Sequence, residues 1–225
     1  MGATKIMIIR HAEKPDTYDD KTYYGVDATG DIAGKHGDKQ LVTIGWARAG
    51  ALVTLFAPPW GPKAPTLATP TYLFASDPEA KGGNGSSDKD DSGPSQRPYE
   101  TLTALCSTLK LNIDHSYKKD QYARNAWNAG MVSAALACDG VVLIAWQHED
   151  IPLLNKEGAP GISQCILTET KTPSGKFNIP STWPKGKTGA RYDLVFVFDR
   201  PSGSGPITGF TLFPQRLLAG DEATA

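Results

Sequence analysis

The sequence predicts an α/β fold: a three-layer αβα sandwich with a mostly parallel central sheet. Three observations carry that prediction. Short apolar runs, too brief for buried helices, recur along the chain. Stretches of helical spacing separate them, as crossovers between parallel strands require. Two of the runs lead into a histidine, and open α/β sheets bind ligands at the carboxyl ends of their strands. With 225 residues, 40% of them hydrophobic, the chain has enough for one domain with a sizeable core, so residues 1–225 are read as a single domain.

Lys5-Ile6-Met7-Ile8-Ile9 reads as the first buried strand, and it delivers Arg10 and His11 to its carboxyl end. A fixed guanidinium grips a phosphate through two parallel hydrogen bonds, while a neighbouring imidazole attacks phosphorus. An isolated Arg-His pair is more often two polar residues at the end of a strand, so the rest of the chain must decide. From 16 to 40 the chain is polar, rich in Asp, Gly and Tyr, and aperiodic; it is read either as a lid over the Arg-His edge or as a surface excursion. Leu41 to Phe56 has apolar residues at helical spacing, and Pro58-Pro59 stops this crossover helix. Arg48 within it is read as a solvated helix residue.

Thr71-Tyr72-Leu73-Phe74-Ala75 reads as the second buried strand, ending at Ser76-Asp77. Residues 78–95 turn to Gly, Ser, Asp and Lys, a composition that buries little apolar surface, and they read as a flexible insertion. The helix that follows runs to Leu109 and opens on Ser95-Gln96-Arg97-Pro98, with proline in the first turn where its missing N–H costs nothing. Arg97 thus stands beside free backbone N–H groups at the positive end of a helix, a natural anion site, with a structural salt bridge as the alternative. Lys118 to Ala137 is helix-compatible, with Trp127, Met131 and Leu136 available for a packed face. Val141-Val142-Leu143-Ile144-Ala145, the most apolar run, reads as a central parallel strand. It leads into Trp146-Gln147-His148-Glu149-Asp150, with a helix start expected at Ile151-Pro152. Tyr192–Phe198 and Ile207–Phe213 read as two further strands paired across a Pro-Ser-Gly-Ser-Gly-Pro turn, and Gly220 to Ala225 as a frayed end.

Composition narrows the function. A net charge of −1 without any basic stripe lacks the footprint of a nucleic-acid binder. Three cysteines, Cys106, Cys138 and Cys165, form no CxxC pair and are expected as buried thiols. No leader pattern and no 18-residue apolar run are present, so neither membrane attachment nor secretion is expected and the assignment is cytoplasmic. Met1-Gly2 lacks the Ser or Thr that myristoylation favours at position 6, where Ile6 stands.

Parallel strands align their carboxyl ends, so Arg10, His11, Arg97 and His148 are expected to meet on one edge. At this point the chain resembles the histidine phosphatase superfamily, the phosphoglycerate mutase-like fold. The resemblance rests on Arg10-His11-Ala12-Glu13, on Leu41, Thr43, Gly45, Arg48 and Ala49, on Ser95, Arg97, Pro98, Glu100 and Thr101, and on His148 after its strand. It covers roughly the first 155 residues, and the later part of the chain fits more loosely. It implies that His11 is the nucleophile that becomes a phosphohistidine, and that Arg10, Arg97 and His148 hold the phosphoryl oxygens, without metal or cofactor. The proton donor is Glu149 by first choice and Glu13 by second, with Asp114 and Asp120 as weaker candidates. His36 and His115 are read as exposed, and Trp146 as core or pocket wall. The expected activity is hydrolysis of a small phosphomonoester. The competing readings are a non-catalytic phosphate-binding or protein-interaction module and, third, a His/Asp metal hydrolase.

Overall fold

A computed structural model describes all residues except 19–20, 33–38, 63, 80–94 and 187–188. His36 and most of the 78–95 insertion therefore lie outside the described residues. A six-stranded sheet forms from β1 (Lys5–Arg10), β2 (Tyr72–Ser76), β3 (Ile113–Tyr117), β4 (Val141–Trp146), β5 (Leu194–Asp199) and β6 (Gly209–Pro214), in the order β6-β5-β1-β4-β2-β3. The helices are α1 (Thr43–Phe56), α2 (Arg97–Leu109), α3 (Gly130–Ala137) and α4 (Ile162–Glu169). Two-residue ladders pair Thr17–Tyr18 with Lys21–Thr22 and Lys185–Gly186 with Gly189–Ala190.

The central strands alternate their burial between two apolar layers, which is why they read as near-continuous apolar runs. Ile6, Ile8, Val142, Ile144, Phe196 and Phe198 pack with Met131, Val132, Ile162 and Ile166 of α3 and α4. Met7, Ile9, Leu143, Ala145, Val195 and Val197 pack with Leu52, Phe56, Leu102 and Leu105 of α1 and α2. The helices thus cover both faces. Among the described residues no helix is long and apolar enough to cross a membrane.

The sheet is mixed rather than mostly parallel. β1 pairs with β4, β4 with β2 and β2 with β3 in parallel, whereas β1–β5 and β5–β6 are antiparallel. The short link between β5 and β6 allows only a hairpin, since a parallel return needs a crossover of a dozen residues or more. The β1–β5 register pairs Ile9 with Val195, so β5 begins at the edge where β1 ends. The residues just before Leu194 therefore stand beside Arg10.

Other departures have local causes. Only Gly130–Ala137 of the expected 118–137 helix forms. Asn125 and Asn128 side chains take the backbone N–H groups of Trp127, Asn128 and Gly130, and Gly130 has φ +79, so the chain turns before the helix begins. Trp127 is exposed rather than packed. The expected helix at Ile151 is one 3₁₀ turn, His148–Asp150, and α4 starts at Ile162 instead. β3, at the edge of the sheet, carries Ile-Asp-His-Ser-Tyr with one buried residue, too polar to have been read as a strand. Cys165 is buried, while Cys106 and Cys138 are half-buried, and all three are free thiols. The end of the chain is pinned, not frayed: Asp221 binds Arg48, and the Glu222 backbone N–H donates to Asp193.

Candidate active site

Arg10 ends β1 and is almost wholly buried, as is His11 beside it. The ladder continues one residue past the strand, with the His11 N–H donating to the Trp146 carbonyl at 3.0 Å. Since Arg10 and Trp146 are in register, His11 and His148 leave adjacent parallel strands on the same edge. His11 Nδ1 lies 2.7 Å from the Ala12 carbonyl, which can only accept, so that nitrogen carries the proton and Nε2 keeps its lone pair. Burial, then the charges of Arg10 and Arg97, hold the His11 pKa well below the ordinary histidine value. The imidazole is neutral at physiological pH, the state a nucleophile needs.

Arg97 is the first residue of α2, and its charge acts on both Arg10 and His11. Thr101 ties this helix start to the loop after His11. Its hydroxyl donates to the Arg97 carbonyl at 2.7 Å and accepts from the Ala12 N–H at 2.8 Å. The loop after His11 is held from the other side as well. A Cβ on Gly45 would lie 2.6 Å from the Glu13 carbonyl, so α1 approaches the post-strand turn as closely as only glycine permits.

His148 opens the 3₁₀ turn after β4, with its Nδ1 3.0 Å from Glu149 Oε2. Lys119 Nζ meets the other oxygen, Oε1, also at 3.0 Å. Burial pushes the Glu149 pKa up, but His148 and then Lys119 outweigh it and hold the group below the usual carboxylate range. Glu149 is therefore held as a carboxylate between His148 and Lys119, whereas the role expected from its position is that of a proton donor. Glu13 is likewise engaged: both its oxygens accept from Arg48, at 2.8 to 3.1 Å. Arg48 is buried, not solvated, because Asp221 and Gln215 bind it as well. Of the weaker candidates, Asp114 sits on edge strand β3, two places from β4, and Asp120 is exposed. His115, also on β3, is exposed as expected, and Trp146 is fully buried core.

The structure thus brings Arg10, His11, Arg97 and His148 to one edge, with Glu149 behind the second histidine. Sequence reasoning missed the wall contributed by the segment before β5. Tyr192 lies against Arg10, with Cζ 3.8 Å from the ring centroid, and its ring centroid is 6.1 Å from that of His11. Trp183 stands edge-on to His148 at 6.2 Å. Tyr192 was visible as the first residue of a predicted strand, but nothing local in its sequence shows that this strand runs against β1. Among the described residues no three His, Cys, Asp or Glu side chains gather as a metal site.

No protein-family model matches the chain, and no curated protein is similar to it. Among solved structures, the chain is similar to SixA from Agrobacterium tumefaciens, described there as a candidate phosphohistidine phosphatase. The two share 14% identity over 92% of this chain and 97% of that one, with a TM-score of 0.41, a likeness too loose to assign a family.

Proposed function

We propose that the chain is a phosphatase of the histidine phosphatase kind, hydrolysing a phosphomonoester through a phosphohistidine on His11 without a metal. The observation that carries this reading is the neutral, Nδ1-protonated His11 beside two arginines. Phosphoryl transfer asks chiefly for positioning and for compensation of charge on three equatorial oxygens, and two guanidiniums suit that task. His11 Nε2 attacks phosphorus, and the P–O ester bond breaks with its electron pair leaving on the alcohol oxygen. Water then attacks the phosphohistidine, the P–N bond breaks, and inorganic phosphate leaves as the imidazole returns to neutral. Arg10, Arg97 and His148 bind the phosphoryl oxygens.

The engaged state of Glu149 and Glu13 favours leaving groups that need little protonation, such as phenols of low pKa. The same observation supports the second reading, a phosphate-binding module with little turnover. One experiment separates the two. With a radiolabelled aryl phosphate in chelator, rapid acid-free quenching should trap label on wild-type protein and release phosphate on longer incubation. His11→Ala should do neither. Hydrolysis that survives this substitution overturns the mechanism, and tight phosphate binding without labelling favours the module.

A further inference from the structure

We propose that Tyr192 is the positioning residue of the phosphate clamp, acting through Arg10. The inference rests on the phosphatase reading and deepens it. An arginine that grips a phosphoryl group brings a long, rotamer-rich side chain to the task, and that freedom opposes binding unless folding has already removed it. Here two consecutive residues remove it. The Arg191 carbonyl accepts from Arg10 Nη1 at 2.9 Å, which anchors one corner of the fork. The Tyr192 ring lies 3.8 Å from Arg10 Cζ, which fixes the plane of the guanidinium through a cation–π contact. With that corner taken and the plane set, the Nε edge is left to meet an anion. Arg10 Nε is buried and has no hydrogen-bond partner among the described residues.

The anchor is itself held from several directions. The Asp193 carboxylate accepts from Arg191 Nε and Nη2 at 2.8 Å each, and Arg191 Nη2 also donates to the Thr224 carbonyl at 3.0 Å. The Lys14 backbone N–H meets the Tyr192 hydroxyl. The Arg191 carbonyl accepts in addition from Trp183 Nε1 at 3.0 Å, and that indole stands against His148. A single peptide position thus orients the first arginine and the aromatic neighbour of the second histidine. Tyr192 adds the planar constraint that a carbonyl alone cannot supply.

Inorganic phosphate is the probe, titrated by calorimetry into wild type, Tyr192→Phe and Tyr192→Leu, alone and in an Arg10→Lys background. Tyr192→Phe keeps the ring face and should bind phosphate within about twofold of wild type, whereas Tyr192→Leu should weaken binding about tenfold at unchanged Tm. In the Arg10→Lys background the leucine substitution should cost less than about twofold, since an ammonium has no plane to align. An equal loss in both backgrounds overturns the inference, because a general structural effect would not depend on Arg10. A measurement on wild type covers a leucine variant that does not fold: in arginine-labelled NMR spectra recorded before phosphate is added, the Arg10 Nε–H signal should be shifted upfield by the ring, and a signal averaged with the exposed arginines overturns the inference. If wild type binds phosphate and Tyr192→Leu binds it equally well, only this inference falls; if wild type neither binds phosphate nor labels at His11, the phosphatase reading falls with it.

Discussion

A carboxylate beside an imidazole can hand a proton to a leaving group or hold the ring in place, and the two roles respond differently to substrate. Glu149 meets His148 with one oxygen and Lys119 with the other, and the proposed mechanism uses it in the second role. Glu149→Gln should therefore slow hydrolysis about tenfold by loosening His148, and equally for aryl phosphates whose phenols are strong or weak acids. A proton donor would behave otherwise, with a loss that grows to about 100-fold or more as the leaving group worsens. Rates across a series of substituted phenyl phosphates measure the difference, and a slope that steepens in the variant would restore Glu149 as the acid. The residues that gather at the candidate site were legible in the sequence because Arg10-His11 and His148 are local to strand ends. The partners of the carboxylates were not, since position after a histidine says nothing about which cations surround a group. Lys119 reaches Glu149 across 30 residues of sequence, and Arg48 reaches Glu13 across 35.

Helix α2 shows how one element serves the site and pays for it once in buried charge. Its first turn presents Arg97, and Thr101 ties it to Ala12, while Glu100 accepts from the Leu41 N–H at 2.8 Å. Burial raises the Glu100 pKa to about 7, against the lowering effects of the Leu41 N–H and Arg97. A carboxyl group whose folded pKa lies above its unfolded value stabilises most at acid pH, and that contribution is lost as pH rises through 7. Glutamine keeps the acceptor for Leu41 without the titration. Between pH 5 and 8, wild type should accordingly lose about 2 kcal/mol of stability relative to Glu100→Gln. Urea unfolding at the two pH values measures this, and a pH-independent difference would refute it. The helix itself was legible, since Pro98 marks its first turn and Lys110 closes it in the left-handed conformation at φ 55. Its neighbour in the expectation, the helix over 118–137, failed because apolar spacing ignores competition for backbone N–H groups by Asn125 and Asn128.

Across the whole molecule, residues near 221 brace the loop that follows His11. Arg48 on α1 binds Glu13 after the candidate nucleophile and Asp221 near the end of the chain, and both Arg48 and Asp221 side chains are almost fully buried. Removing one partner of such a pair leaves a charge short of compensation in a water-poor setting. Asp221→Ala should cost about 3 kcal/mol in chemical denaturation and lower phosphate release, whereas a loss below about 1 kcal/mol would show that Glu13 and Gln215 suffice. By itself the sequence determined the α/β class, the identity and order of the apolar strands and the four residues that meet on one edge. Burial on both faces writes a strand as an unbroken apolar run, and strand ends are local features. Only the tertiary structure decided that β5 runs against β1, that Tyr192 and the Arg191 carbonyl stand behind Arg10, and that Glu13 and Glu149 are ion-paired. Strand direction and ion pairing depend on which distant segments fold side by side, as with Arg48 and Asp221, 173 residues apart, and no local periodicity encodes that choice.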